Sequence, residues 1–322
     1  MKLVTAKLMI ATAGLALFAG LAHAQTAVRM LSGHPPGGAV DILARTFAER
    51  LSEALGRPVV VETRSGAGGQ IAAAALKTSP ADGSTLMTIP ASALTLYPHT
   101  TKAPINDTLN DFVPVAHVGS YETGLAVGAN VPAKNLKEWV EFVKADKKNA
   151  VYSAGNVGTD LHFLGVALSQ AAGLNLVHVP YRGVGPTTIA LIAGEIPSVT
   201  LPFAQMLPQV KAGRIRILAH SGGKRAAVAP EIPTFKELGY PGLEISSWYV
   251  IIAAAKMPAD LVARYNEIFV QAQRTQAVRE RMRSLDLDIH ELTPAQLVAT
   301  LKSDHDRWGP IVRASGFSAD SQ

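Results

Sequence analysis

Two segments of the sequence combine glycine with small polar residues in a way that suits anion binding. Residues 33–41 read GHPPGGAVD and residues 153–160 read SAGNVGTD, and each joins a predicted strand to a predicted helix. The first turn of a helix has unpaired N–H groups and a partial positive charge, and glycine lets a ligand approach the backbone closely. The pattern predicts that both turns together hold a carboxylate or phosphate. The alternative is two ordinary α/β turns whose glycines only provide a positive φ.

A third glycine-rich segment, residues 64–69 with the sequence RSGAGG, also joins a strand to a helix. A dinucleotide-binding G-x-G-x-x-G pattern would need glycine at position 71, where Ile71 stands, and no G-x-x-x-x-G-K-[ST] phosphate loop occurs. We interpret this segment as a structural turn, with a place in a cleft wall as the second interpretation. No nucleotide or other cofactor is predicted.

Catalytic and metal-binding motifs are missing from the sequence. It has no G-x-S-x-G nucleophile turn and no H-E-x-x-H zinc motif, and its histidines form no i,i+4 pair. The chain has 0 cysteines, which excludes disulfides, a thiol nucleophile, cysteine-ligated zinc, an iron–sulfur cluster and a lipidated N-terminal cysteine. We therefore predict no metal site.

Four residues keep two interpretations each. His162 could face a cleft or be a packed or capping histidine, and Asp41 could hold a ligand amino group or complement the dipole of its helix. Arg182, in the sequence PYRG, could be a cationic partner for a ligand or a solvated side chain. Trp248 lies in an apolar segment and could belong to the core or to a cleft edge.

The composition is that of a folded, exported protein with about two domains. Of its 322 residues 48% are hydrophobic and 17% charged, and the formal charge is +5. Residues 1–24 have the parts of a secretory signal: Lys2 and Lys7, an apolar stretch over residues 8–21, and an A-x-A site ending at Ala24. This stretch is shorter than the ~20 residues that span a bilayer. Without it the charge is 28 − 25 = +3, too mild for a nucleic-acid partner.

Short β-rich segments alternate with helical periodicity, which is typical of an α/β fold. The predicted strands cover residues 28–32, 59–62, 86–89, 113–118, 125–127, 151–153, 177–179, 215–219 and 245–254. The predicted helices cover residues 40–55, 70–77, 135–144, 159–171, 186–193, 204–212, 258–274, 276–285 and 294–308. Because no flexible linker divides the chain, we expect two domains that are joined by crossing strands and enclose a hinged cleft.

Several motifs resemble those of the Bug-type receptors, the periplasmic solute-binding proteins of tripartite tricarboxylate transporters. The motifs in this sequence are PPGG at 35–38 with Asp41 and Ala44-Arg45, SGAGG at 65–69, PADG at 80–83, HVPYRG at 178–183, LPQVKAG at 207–213 and PEIPT at 230–234 ahead of Trp248. They follow in order through essentially the whole chain after residue 24.

The resemblance implies a two-lobed periplasmic-binding-protein fold, type II-like, with the ligand between the lobes. Lobe 1 would comprise residues 25–124 and 246–322, and lobe 2 residues 125–245. Carried over residue by residue, the ligand carboxylate would meet amides, hydroxyls and water around both turns. With Asp41 and His162 added, the predicted ligand-binding residues are Gly37, Gly38, Asp41, Ser92, Ser153, Asn156, Gly158, Thr159 and His162. One departure is that Pro197 and Leu201 occupy places that are often acidic in the family, which favours a more apolar distal pocket.

The function that follows is that of a non-enzymatic periplasmic receptor. It would capture a small mono- or dicarboxylate and present it to the membrane permease subunits of a secondary transporter. A membrane sensor that reads the same ligand is the second possible partner. An alternative from another class is a secreted hydrolase or isomerase that uses His162 or Asp41 as a base in the same cleft.

Overall fold

The computed structural model describes residues 27–321, and the predicted signal peptide lies outside this range. The strands are β1 (Val28–Ser32), β2 (Val59–Thr63), β3 (Thr85–Pro90), β4 (Phe112–Gly128), β5 (Val151–Ser153), β6 (Val177–His178), β7 (Ser198–Pro202), β8 (Ile215–His220) and β9 (Ser246–Ala254). The α-helices are α1 (Ala39–Leu55), α2 (Gln70–Lys77), α3 (Ser92–Thr95), α4 (Thr108–Asp111), α5 (Leu136–Ala145), α6 (Asp160–Ala171), α7 (Val184–Ala193), α8 (Phe203–Lys211), α9 (Ala259–Arg274), α10 (Gln276–Ser284) and α11 (Pro294–Ser315).

All nine described strands form one continuous sheet with two halves that share β4. The order is β2-β1-β3-β9-β4-β7-β5-β6, and β8 also pairs with β4. In the first half, residues 112–122 of β4 run antiparallel to β9, which pairs with β3. In the second half, residues 123–128 of β4 run antiparallel to β7 and β8. The change of partner after Glu122 gives the chain two lobes, as expected for the fold class. The lobe boundaries at 124/125 and 245/246 stay a prediction.

Helix α1 shows how local sequence builds the first lobe. Leu43, Phe47 and Leu51 recur at helical spacing and are fully buried against the sheet. The helix ends at Gly56, whose left-handed backbone lets its N–H donate to the carbonyl of Ser52. Phe47 meets Phe269 of α9 edge to face, with 5.8 Å between the ring centroids. Helix α1 thereby covers one face of the first half of the sheet. The cavity described below lies at the turn that follows strand β1.

Strand β4 and helix α11 are longer than the elements predicted from the sequence. The predicted strands 113–118 and 125–127 are one 17-residue strand, β4, because β9, β7 and β8 supply hydrogen-bond partners along its whole length. Two irregularities in the β4–β9 register, near Pro114 and His117, let the strand follow the twist of the sheet. Helix α11 continues through Pro310 to Ser315, seven residues past the predicted end at Trp308. Within residues 27–321, no helix has the length and apolar character needed to cross a membrane.

Candidate ligand cavity

A cavity of about 760 Å³ lies between the two lobes. Its wall combines the turn before α1, the turn before α6, and residues of α7 and α8. Five predicted site residues line it: Gly37, Gly38, Ser92, Asn156 and Thr159. Four predicted site residues are not part of the lining: Asp41, Ser153, Gly158 and His162. The fold thus brings both glycine-rich turns to one cavity, but it turns several of their side chains away from it.

The first turn presents backbone N–H groups to the cavity. Gly38 is extended, with φ −79° and ψ 169°, and the helix begins at Ala39. Gly38, Ala39 and Val40 all line the cavity, and within residues 27–321 their N–H groups have no hydrogen-bond acceptor. Gly37 has φ +83°, a left-handed backbone that favours glycine. These donors, at the positive end of a 17-residue helix, are suited to a carboxylate.

Asp41 supports this turn from behind. Its carboxylate accepts hydrogen bonds from the N–H of Gly37 and from Nε of Arg45, each at 3.0 Å. Burial opposes ionisation of Asp41, but the hydrogen bonds and the positive charge of Arg45 outweigh it and lower the pKa of the carboxyl. Asp41 is therefore an anion that fixes the turn, and the residue is 4% exposed.

The second turn is held by hydrogen bonds within itself. The fully buried Ser153 accepts a bond from the N–H of Gly155, and the N–H of Gly158 donates to Nδ1 of His162 at 3.3 Å. Thr159 is the N-cap of α6 and lines the cavity together with Asn156. The amide of Gly158 is thus engaged within the protein.

Two adjacent histidines, whose rings are tilted by 54° to each other, support the second turn. The rings of His162 and His178 lie 4.4 Å apart, and Nε2 of His178 accepts a bond from the N–H of Ala154. Burial lowers the pKa of His162 to about 3, with a contribution from His178, and burial lowers the pKa of His178 to about 4. Both rings are neutral acceptors for backbone N–H groups, so His162 is a packed histidine. It lies behind the cavity wall, where a general base for a ligand would not be placed.

Asp160 is the residue that the sequence reasoning missed. It opens α6, lines the cavity and is 3% exposed. Its carboxylate accepts hydrogen bonds from the hydroxyls of Ser92 at 2.6 Å, Tyr121 at 3.0 Å and Ser247. Burial and the negative charge of Asp160 raise the pKa of Tyr121 well above its ordinary value. An acid at the start of a predicted helix was a visible signal, but its partners are distant in sequence.

The outer part of the cavity carries cationic and apolar groups. Arg182 and Arg214 line it, and among residues 27–321 neither side chain forms an ion pair. Ile189 and Ile192 of α7 lie in the same wall and are 69% and 37% exposed. With Asp160 as the acid in the lining, the charge is 2 − 1 = +1. The outer wall can therefore attract an anion and still contact an apolar ligand body.

Three other sequence interpretations are resolved by position. The predicted structural turn at residues 64–69 approaches the first turn so closely that a Cβ on Gly33 would lie 2.6 Å from Cα of Gly69. Gly68 of the same turn also lines the cavity. Leu201 is fully buried in the core of the second lobe, and Trp248 is buried with its Nε1 donating to Asp304 at 2.7 Å.

Within residues 27–321, no three His, Asp or Glu side chains are grouped to hold a metal ion.

A two-lobed α/β fold with helix N-termini facing an interlobe cavity is the fold of the periplasmic binding proteins. The model of the tripartite tricarboxylate transporter family receptor, TctC, matches residues 43–317. The chain belongs to this family, which confirms the resemblance stated from its motifs.

Individual relatives agree with the family assignment. The chain is similar to protein BugT of Bordetella pertussis, at 30% identity over 96% of this chain and 95% of the relative. Its fold is similar to the periplasmic binding protein BugD, with a TM-score of 0.85 and 26% identity over 91% of this chain and 99% of that one. R. palustris Rpa4515 with adipate gives a TM-score of 0.85 and 25% identity over 91% of this chain and 98% of that one.

Proposed function

We propose that the protein is a periplasmic receptor that captures a small organic acid between its lobes and delivers it to a membrane permease. Membership of a transporter receptor family supports the receptor role. The similarity to a protein bound to adipate supports an organic acid as the ligand. The charge of +1 on the cavity lining favours an anion over a cation.

The observation that carries this proposal is the set of unpaired N–H groups of Gly38, Ala39 and Val40. A carboxylate on these groups would receive charge-assisted hydrogen bonds of about 1.5–3 kcal/mol each. Two or three such bonds give about 3–9 kcal/mol before the costs of association. Contacts of the ligand body with the apolar wall at Ile189 and Ile192 must therefore contribute to a micromolar affinity, about −8 kcal/mol. The carboxylate would be bound mainly by backbone N–H groups, which can donate hydrogen bonds to any carboxylate of suitable size.

Closure of the two lobes would couple capture to delivery. The cavity takes Gly38 and Ser92 from the first lobe and Asn156 and Thr159 from the second. A ligand that touches both walls stabilises the closed arrangement by contacts that the open one lacks. The permease would then receive a protein whose shape reports the presence of the acid.

Replacing Ala39 by proline tests the backbone site directly. Proline is well tolerated at the first position of a helix, and Gly38 already has the extended backbone that a following proline requires. The substitution Ala39→Pro removes one N–H donor and should weaken acid binding about 10- to 150-fold by calorimetry. Ala39→Val adds the same number of side-chain carbons but keeps the N–H, so it should change affinity less than about threefold.

Equal losses in the two variants would contradict the backbone site, because they would show a steric effect. A screen in which no organic acid stabilises the wild-type protein would contradict the receptor proposal itself. At 100 times its dissociation constant a true ligand should add about 2.7 kcal/mol of stability. The alternative of a hydrolase or isomerase requires turnover, whereas a receptor returns its ligand unchanged; the positions of His162 and Asp41 behind the wall favour the receptor.

A further inference from the structure

The carboxylate of Asp160 joins the two lobes across the cavity. Asp160 opens α6 in the second lobe. Its hydroxyl partners belong to the first lobe: Ser92 follows β3, Tyr121 lies on the part of β4 that pairs with β9, and Ser247 lies on β9. This is the arrangement in which a ligand carboxylate would be expected, with hydroxyl donors from the opposite lobe converging on one anion.

Asp160 carries its charge without a cationic partner. Within residues 27–321 no Lys, Arg or His forms an ion pair with it, and its donors are three neutral hydroxyls. The N-terminus of α6 compensates only about half a unit of charge. The carboxylate therefore makes the part of the cavity next to Asp160 negative, whereas Arg182 and Arg214 make its outer part positive.

We propose that Asp160 sets the charge of the ligand by taking the place of a second ligand carboxylate. An ionised carboxylate accepts about four hydrogen bonds, and three are used by the hydroxyls. The remaining acceptor position suits a donor on the ligand. The preferred ligand therefore has one carboxylate, which binds at α1, and one ammonium group, which lies toward Asp160. An acid with two carboxylates should bind less tightly. This inference rests on the proposed organic-acid function.

Matched pairs of acids separate these ligand classes. Each pair has one chain length and differs only in the terminal group: succinate with 4-aminobutyrate, glutarate with 5-aminopentanoate, and adipate with 6-aminohexanoate. For the pair that fits best, the wild-type protein should bind the amino acid about tenfold or more tightly than the diacid, because like charges in a buried site repel strongly. In Asp160→Asn the diacid should gain at least about tenfold relative to the amino acid.

Ser247→Ala is the matched control. Ser247 donates to Asp160 but does not line the cavity, so this variant removes a hydroxyl and keeps the charge. Its ratio of diacid to amino-acid affinity should stay within about threefold of the wild-type ratio. A shift as large as that of Asp160→Asn would overturn the proposal, since it would trace the selectivity to packing.

The wild-type measurement decides the proposal even where Asp160→Asn does not fold. Wild-type protein that binds a diacid as tightly as its amino-acid partner overturns the role of Asp160 and leaves the receptor function in place. Failure of the wild type to bind these probes and any other organic acid overturns the receptor function, and with it the role of Asp160.

Discussion

The hydroxyl of Thr159 accepts a hydrogen bond at 3.3 Å from the backbone N–H of His162. It also donates its proton to the carbonyl of Asn156 at 3.1 Å. Both hydrogen-bonding directions of this hydroxyl are therefore used inside the second turn. Thr159 lines the cavity, but its side chain acts on the turn, and the ligand is left with the backbone around it.

The substitution Thr159→Val should act on stability more than on binding. Loss of an N-cap hydroxyl costs about 1 kcal/mol, which denaturant unfolding of the ligand-free protein would measure. Acid affinity by calorimetry should change less than about threefold. Thr159→Ser keeps the cap and should resemble the wild type in both quantities. A large loss of affinity with unchanged stability would show that the hydroxyl binds the ligand.

His178 should make the protein less stable in acid. Its pKa is about 4 in the folded protein against an ordinary value of 6.5, so the unfolded chain takes up the proton first as pH falls. Stability is complete above about pH 6.5 and falls between pH 6.5 and 4, by about 1 kcal/mol per pH unit for this one group.

His178→Gln keeps an acceptor for the N–H of Ala154 and removes the titration. Urea unfolding at several pH values should give a slope smaller than the wild-type slope by about 1 kcal/mol per pH unit between pH 6 and 4.5. Burial also lowers the pKa values of His34, His99, His117 and His162, so these histidines still titrate and leave a residual slope. An unchanged slope would mean that His178 is already protonated in the folded protein.

Asp41 should contribute more to the free energy of unfolding than its ion-pair partner Arg45 does, because it also holds the first turn. Asp41→Ala leaves the N–H of Gly37 without its acceptor and should cost about 2 kcal/mol of unfolding free energy. Acid affinity should fall with it, because the turn that aligns Gly38 is released. Arg45→Ala removes only the exposed partner and should cost less. Equal losses would place the stabilisation in the ion pair and away from the backbone contact.

Export should precede function. The A-x-A pattern ending at Ala24 predicts that mature protein from the periplasm begins at Gln25. N-terminal sequencing of periplasmic extract measures this, with whole-cell precursor as the reference. Active protein that keeps Met1 in the cytoplasm would contradict both the location and the delivery to a permease.

Much of the architecture was predictable from the sequence. Helix α1 was visible from the spacing of Leu43, Phe47 and Leu51, and its end was visible from Gly56, because periodicity and capping involve residues at most about four positions apart. The two glycine-rich turns were recognised for the same reason. The extent of β4 was not predictable, since its continuity depends on three strands that pair with it from elsewhere in the chain.

Asp41 and Asp160 differ in whether their roles can be predicted from the sequence alone. Asp41 and Asp160 both occupy the first turn of a helix after a glycine-rich segment. Asp41 bonds to Gly37 and Arg45, each four residues away, and its role follows from local geometry. Asp160 bonds to Ser92 and Ser247, which are 68 and 87 residues away. Only the order of strands in the sheet brings those hydroxyls to its carboxylate, because a contact at such separation depends on packing and leaves no periodic trace in the chain.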